Sequence, residues 1–459
     1  MKKVNKNYIK IIVWGLIFVL VVPFFSGCGD KPIQYSVDLE IWGVFDDADD
    51  YTQIISEYKR VNPFIGNINY RKFTIDNYKK DLLNALASGN GPDIFMINNF
   101  WMPNFEDKVA TAPTRIVNEQ LFRNNFIDVV VDDFVGNSGE IYGAPLSVDS
   151  LALYYNKDLF NAAGIASPPI TWEELVEDSK KMTEISDIGT ISRSGVALGT
   201  SYNINRSTDI IEFLLFQHGA RMPNRRNASF SVDNNIGNDV LEFYTQFARS
   251  SSPAYSWNNT KHYSIDSFYE GDLGMMLNYS WHIETLKSKN AKLNFAVARA
   301  PQLSKKNPSN YANYWSFVVN RSKEVKQTEN KVSINNEERI HEAWQFLKYM
   351  TFKNDGTFNT ISVKSGNEKQ FSLEIDPAAI YLKETFKPAA RKDLIELQKT
   401  DPILGVFAYG NLIAKTWYRK EADAIENIWA NIVLSLNRGD ITATEAFILV
   451  KTRINEVNK

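Results

Sequence analysis

Ser36-Val37-Asp38-Leu39-Glu40-Ile41-Trp42 alternates apolar and polar residues, the period of a half-buried strand. A polar loop over 43–50 follows, and then Tyr51, Ile54, Ile55, Tyr58 and Val61 recur on one helical face until Asn62-Pro63 ends it. Asp46, Asp47, Asp49 and Asp50 stand at that helix start, where negative charge complements the aligned peptide dipoles. The pattern then predicts a strand at 68–72, a helix over 76–88 stopped by Gly89, and a fully buried strand in Pro92-Asp93-Ile94-Phe95-Met96-Ile97. Strand, helix, strand, helix, strand is the rhythm of a parallel sheet with crossover helices.

A second unit of the same kind starts near Tyr142. Leu151-Ala152-Leu153-Tyr154-Tyr155 reads as a strand, and Thr171-Trp172-Glu173-Glu174 as a capping box opening a helix. Further helices are expected over 208–218, 238–248, 337–351 and 421–436, the last carrying Ile425, Ile428, Trp429, Ile432 and Leu436 as one stripe before Gly439. Thr442-Ala443-Thr444-Glu445 opens the final helix with another capping box. Residues 323–338 are charged and Asn-rich and read as an exposed loop.

The amino terminus carries an address. Lys2, Lys3, Lys6 and Lys10 precede an apolar run from 11 to 25, and Ser26-Gly27 lead to Cys28, the sole cysteine of 459 residues. A basic start, a short apolar centre and small residues at the cut describe an export signal. The run is short for a span of roughly 20 residues, and Pro23 interrupts it. Phe25-Ser26-Gly27-Cys28 resembles the lipobox of bacterial lipoproteins, with Phe where that motif usually has Leu. The resemblance implies a diacylglycerol on Cys28 and an extracytoplasmic protein anchored to the membrane by two or three acyl chains, which hold stably where one chain does not.

Composition narrows the partners. A net charge of −3 leaves no basic footprint for nucleic acid. With Cys28 acylated no thiol remains for disulfides, and His218, His262, His282 and His341 show no ligand spacing, so no metal and no cofactor are expected. Aromatic residues make up 13% of the chain, and several sit beside polar groups where strands end. These are Trp42 before Asp46 and Asp47, Asn98 near Trp101, Asp149 after Ser147, Tyr279 with Trp281, and Tyr314 with Trp315. Strand ends face the ligand crevice of an open parallel sheet. An indole face beside a carboxylate or amide suits a sugar, which has an apolar C–H face and a hydroxyl rim. Paired carboxylates also serve glycoside hydrolases, but no catalytic motif accompanies these pairs among 54 acids, so binding without turnover is expected.

The same residues carry a resemblance over nearly the whole mature chain. Leu39-Glu40-Ile41-Trp42-Gly43 with Asp46-Asp47, Leu83 to Ile94, Tyr142-Gly143-Ala144-Pro145-Leu146, Tyr154-Tyr155-Asn156-Lys157-Asp158-Leu159-Phe160, Thr171-Trp172-Glu173-Glu174-Leu175, Phe268 to Met276 and Ala343 to Lys348 resemble bacterial extracellular solute-binding proteins of family 1. That resemblance implies an α/β, two-lobed fold like maltose-binding protein (type II), each lobe a mostly parallel sheet flanked by helices, with the ligand between. It divides the chain into a signal (1–27), a lipid-anchored linker (28–35), a first lobe (36–147 and 299–352) and a second lobe (148–298 and 353–459). Crossings are implied near 147–151, near 298–301 and after about Phe352.

It further implies a monomer that hands a mono- or oligosaccharide to an ABC permease, with a peptide, polyol or phosphorylated polyol as alternative cargo. By analogy Trp42, Asp46, Asp47, Asn98 and Trp101 are ligand-binding residues of the first lobe, Asp149 of the hinge, Tyr279 and Trp281 of the second wall, and Tyr314 and Trp315 of the return crossing. Gln217-His218-Gly219-Ala220 keeps one glycine where many relatives have two, which leaves the local pocket shape open. Arg206, Arg221, Arg225 and Arg226 are the candidates for a phosphate.

Overall fold

The computed structural model describes residues 36–323 and 334–459. Cys28, the export signal, the linker and most of the expected loop at 323–338 lie outside the described residues. The alternating opening becomes β1 (Val37–Val44), and the next strands are β2 (Ile65–Phe73), β3 (Ile94–Asn98), β4 (Val109–Ala110) and β5 (Gly143–Ala144). The second unit supplies β6 (Ala152–Asn156), β7 (Glu184–Ile185), β8 (Ile191–Val196), β9 (Leu273–Asn278) and β10 (Phe295–Arg299). Two later strands are β11 (Asn310–Tyr311) and β12 (Trp315–Asn320).

Two sheets result. The first has the order β2-β1-β3-β12-β4, with β5 also on β12, and the second β10-β6-β9-β8-β7. β2 and β3 run parallel to β1, while β12 runs antiparallel to β3, β4 and β5. In the second sheet β8 and β9 are parallel, and β6 runs antiparallel to both β9 and β10. The strands of a βαβ series thus share one direction, with one reversed strand inside each sheet and the short β7 reversed on β8. The physical cause is the route of the chain. β6 and β12 have just crossed from the other lobe, so they start at the crevice where the others end: Ala152 lies opposite Asn278, and Trp315 opposite Asn98.

Each sheet has its own core. Ile54, Tyr58 and Val61 of the helix Thr52–Val61 pack with β1 and with Trp344, whose indole N–H donates to the Ala110 carbonyl at 2.9 Å. Burying a large apolar side chain contributes about 1.5–3 kcal/mol. The second core gathers Trp172, Trp257 and Trp429. Thr171 and Glu174 cap their helix reciprocally, as do Thr442 and Glu445. Gly439 ends the helix Ala422–Arg438 with φ +76°, a conformation that glycine takes without steric cost. No helix of the described residues is long and apolar enough to cross a membrane.

The third crossing falls later than the expected point after Phe352. Phe358, Ala378, Tyr381, Leu382, Ala389, Leu394 and Ile395 all pack in the first core, so the chain stays on that lobe well past 353. It passes over near the helix Leu404–Leu412, whose Phe407 is in the second core and Ala408 in the first. The cause is apolar: the buried face of the helix Pro377–Thr385 fits the first lobe. The return crossing leaves the second sheet at Arg299 and reaches the first at Trp315.

Candidate functional site

The crevice between the lobes is built where strands end. On the first lobe Trp315, at the start of β12, meets Trp101 edge-on at 5.0 Å, and Phe45 meets Trp315 edge-on at 5.4 Å. Phe45 directly follows β1, is 53% exposed and has φ +71°. On the second lobe Trp281, just past β9, stacks on Tyr279 at 4.4 Å with planes 18° apart and is 39% exposed.

Charged groups join the two walls. Lys79 sits 5.0 Å over the Trp101 ring and reaches across to Asp423 at 2.9 Å. Asp423 is on the helix Ala422–Arg438 of the second lobe, and Glu426, one turn on, shares its face. The Arg206 guanidinium lies 6.0 Å from the Trp281 ring. At the far end Lys287 of the second lobe approaches Phe386 of the first at 6.0 Å.

A chain of hydrogen bonds forms the floor. Asn98 donates to Asn313 at 2.9 Å, Asn313 donates to Asp209 at 3.2 Å, and the Tyr279 hydroxyl donates to Asp209 at 2.8 Å. Asp149 accepts from the Ser280 amide at 2.8 Å and the Ser280 hydroxyl at 2.5 Å, tying the first crossing to the end of β9. Burial raises the Asp149 carboxyl to about 7, against those hydrogen bonds. Beneath them Glu212 and Arg419 form a fully buried ion pair at 3.1 Å, and the Arg419 guanidinium lies 3.6 Å from the Phe100 ring of the first lobe.

Successive residues alternate between two sides of the crossing. Tyr314 points away from Trp315 and donates to Asp133 at 2.7 Å, where Asn99 and Thr416 also donate, at 3.1 and 2.5 Å. Burial lifts the Asp133 carboxyl to about 7. This side holds a cavity of about 450 Å³ between Asp133, Phe100, Arg225 and Thr416. Arg225 bridges the lobes here, pairing with Glu106 and donating to the Asp133 carbonyl at 2.6 Å.

The ten residues singled out from sequence therefore divide. Trp101, Trp281 and Trp315 keep accessible ring surface at the crevice, and Asn98, Asp149 and Tyr279 hold its floor. Tyr314 serves the Asp133 side. Trp42 is turned inward, its N–H on Glu40 at 2.7 Å and its ring 4.4 Å from Phe73. Asp46 is also buried, accepting from Tyr51 at 3.1 Å and Tyr381 at 2.8 Å and pairing with Lys387. Asp47 caps a helix start with Asp50 and pairs with Lys72 at 2.9 Å. Gln217 holds the region left open by the single glycine: it accepts from Trp172 at 2.6 Å and donates to the Pro301 carbonyl at 2.9 Å.

Phe45, Glu426 and Asp209 were not singled out from sequence, and Arg206 only as a candidate for a phosphate. One backbone signal marks it. The three non-glycine residues of positive φ among those described, Phe45, Arg206 and Phe386, all flank the crevice. Such conformations cost of order 1–3 kcal/mol each and cluster where ligands are held.

Residues 51–354 match the family of bacterial extracellular solute-binding proteins. A Brucella abortus (strain 2308) protein named only for binding is 21% identical over 307 residues, covering 65% of this chain and 68% of its own. The sn-glycerol-3-phosphate-binding periplasmic protein of Yersinia enterocolitica is 26% identical over 273 residues, covering 55% of this chain and 56% of its own. Among solved structures, the cyclic α-maltosyl-1,6-maltose binding protein from Arthrobacter globiformis superposes with a TM-score of 0.69 at 18% identity, over 92% of this chain and 99% of that one. The fold is therefore that of a two-lobed binding protein.

Proposed function

The chain belongs to the bacterial extracellular solute-binding protein family, and from that premise we propose that it captures a carbohydrate between its lobes and delivers it to an ABC permease. The observation that carries this reading is the exposed Trp281 on one wall and Trp315, Trp101 and Phe45 on the other, with a hydrogen-bonded set of amides and carboxylates at the strand ends. Aromatic faces take the C–H side of a sugar ring, and the floor takes its hydroxyls. A ligand touching both lobes favours whichever lobe arrangement it contacts best, and only that differential affinity shifts the equilibrium. A micromolar site needs about −8 kcal/mol. Two stacked rings give roughly 0.5–1.5 kcal/mol each beyond burial, and charge-assisted hydrogen bonds about 1.5–3 kcal/mol each, so both kinds of contact are required.

Thermal-shift screening against neutral oligosaccharides, glycerol 3-phosphate and short peptides tests the reading. An oligosaccharide should raise the melting temperature and compact the protein in small-angle scattering, with no cleavage product. Stabilisation by glycerol 3-phosphate alone would transfer the function to the cargo class of the Yersinia relative.

Lipidation at Cys28 forms part of the same proposal, supported by the basic, apolar and small-residue order of 1–28. A tether confines the search for the permease to the membrane surface and raises effective concentration. Cys28→Ser should release the protein from the membrane fraction and lower uptake in cells, while calorimetric affinity in solution stays at the wild-type value.

A further inference from the structure

Among the described residues the charged side chains of Arg206, beside Trp281, and of Glu426, beside Asp423, make no hydrogen bond or ion pair, and neither does Lys287 at the Phe386 end. Lys79 is paired with Asp423, Lys387 with Asp46, and Arg419 with Glu212. Asp209 is occupied by Tyr279 and Asn313. Arg206 precedes the helix Ser207–Gln217 in a left-handed conformation, φ +58° and ψ +34°, which exposes its side chain beside the Trp281 ring. Glu426 shares a helix face with Asp423, the residue that reaches the first lobe, so it faces the same gap. Asp209 and Glu426 favour the charge on Arg206. Burial holds Glu426 above the ordinary carboxylate range despite Arg419 and Arg206.

The charge balance decides the class of ligand. With the three ion pairs neutral, the Arg206 guanidinium and, at the Phe386 end, the Lys287 ammonium stand against the carboxyls of Asp209, Glu426 and Asp149. His282 adds no positive charge near neutral pH, because burial and then Arg206 depress it to about 4. An anionic ligand would meet no net positive field here. A sugar hydroxyl both donates and accepts, so adjacent hydroxyls can satisfy a donor-only guanidinium and an acceptor carboxylate together.

We propose that Arg206 and Glu426 grip the hydroxyl rim of the ring that stacks on Trp281, and that the ligand is an uncharged glycan, neither phosphorylated nor acidic. The inference rests on the carbohydrate reading above and names its ligand class and two further binding residues. It also places the polar grip on the second lobe, since Asp46 is engaged inside the first.

Calorimetry on the mature lipoprotein in detergent micelles tests it, with maltotriose, mannotriose and arabinotriose as neutral probes and trigalacturonate and glycerol 3-phosphate as anionic ones. Arg206→Gly suits the positive φ and removes only the side chain; Glu426→Gln keeps the shape. At least one neutral trisaccharide should bind, and each variant should weaken it about tenfold or more without lowering the melting temperature. Tighter binding of trigalacturonate overturns the inference while leaving the carbohydrate reading intact. Unchanged affinity for the neutral glycan in both variants does the same. Binding of glycerol 3-phosphate alone, or of none of the probes, removes the carbohydrate reading itself and the inference with it.

Discussion

Arg419→Met should be the most destabilising single change in the second lobe, costing on the order of 3–5 kcal/mol. Arg419 and Glu212 are both fully buried and paired at 3.1 Å, and Glu212 also accepts from the Tyr311 hydroxyl. Removing the guanidinium leaves a carboxylate without a counter-charge where water cannot reach it. The Glu212 carboxyl is already held above its ordinary range by burial, and Arg419 is the largest influence pulling it back. For a unit of roughly 150–250 residues each kcal/mol moves the melting temperature by about 2–4 °C, so a fall of about 10 °C is expected in calorimetric scans. The double variant Arg419→Met/Glu212→Leu should recover most of that fall, because an apolar replacement of the whole pair removes the stranded charge. If the double variant melted as low as the single one, the loss would come from packing, chiefly the contact with the Phe100 ring, and not from the unpaired carboxylate.

The two sheets could be read from local pattern because their strands and helices are contiguous. β1, β2 and β3 with their intervening helices occupy residues 37–98, and period alone separates them. Capping boxes at Thr171 and Thr442 were equally local. What escaped depends on distance along the chain. Tyr381 lies 335 residues from Asp46 yet donates to it, and that contact both buries the aspartate and holds the segment after Phe352 on the first lobe. No window of sequence contains such a pair.

Trp42 escaped for another reason. β1 is an interior strand covered on both faces, so Ile41 and Trp42 are both buried and alternation no longer distinguishes inside from crevice. Phe45 gave no signal because a bulky residue in the left-handed region is an exception that sequence does not announce. Arg206 and Glu426 stand 220 positions apart, and only the fold sets both on the wall that carries Trp281.

Trp281→Ala should weaken glycan binding by roughly thirtyfold to a hundredfold, the largest effect of any single crevice substitution. One indole face is committed to Tyr279 at 4.4 Å, which fixes the ring without help from ligand, and 39% of the residue stays exposed. A ligand ring therefore meets a preorganised surface and the complex forfeits little side-chain entropy. Covering that surface combines buried area with about 0.5–1.5 kcal/mol of stacking, a total of roughly 2–3 kcal/mol, and each 1.4 kcal/mol is tenfold. Alanine also frees Tyr279, whose hydroxyl anchors Asp209 and through it Asn313 and Asn98. Trp281→Phe separates the two effects: a smaller ring still packs on Tyr279, so it should retain all but about tenfold of the affinity. Trp42→Phe is the control, since that indole is buried on Phe73 and its loss should leave the dissociation constant unchanged. Fluorescence titration with the glycan found by screening measures all three. Equal affinities for Trp281→Ala and the wild-type protein would move the stacking surface to the opposite wall, onto Trp315 and Phe45, where the edge-on geometry leaves less of each ring to offer.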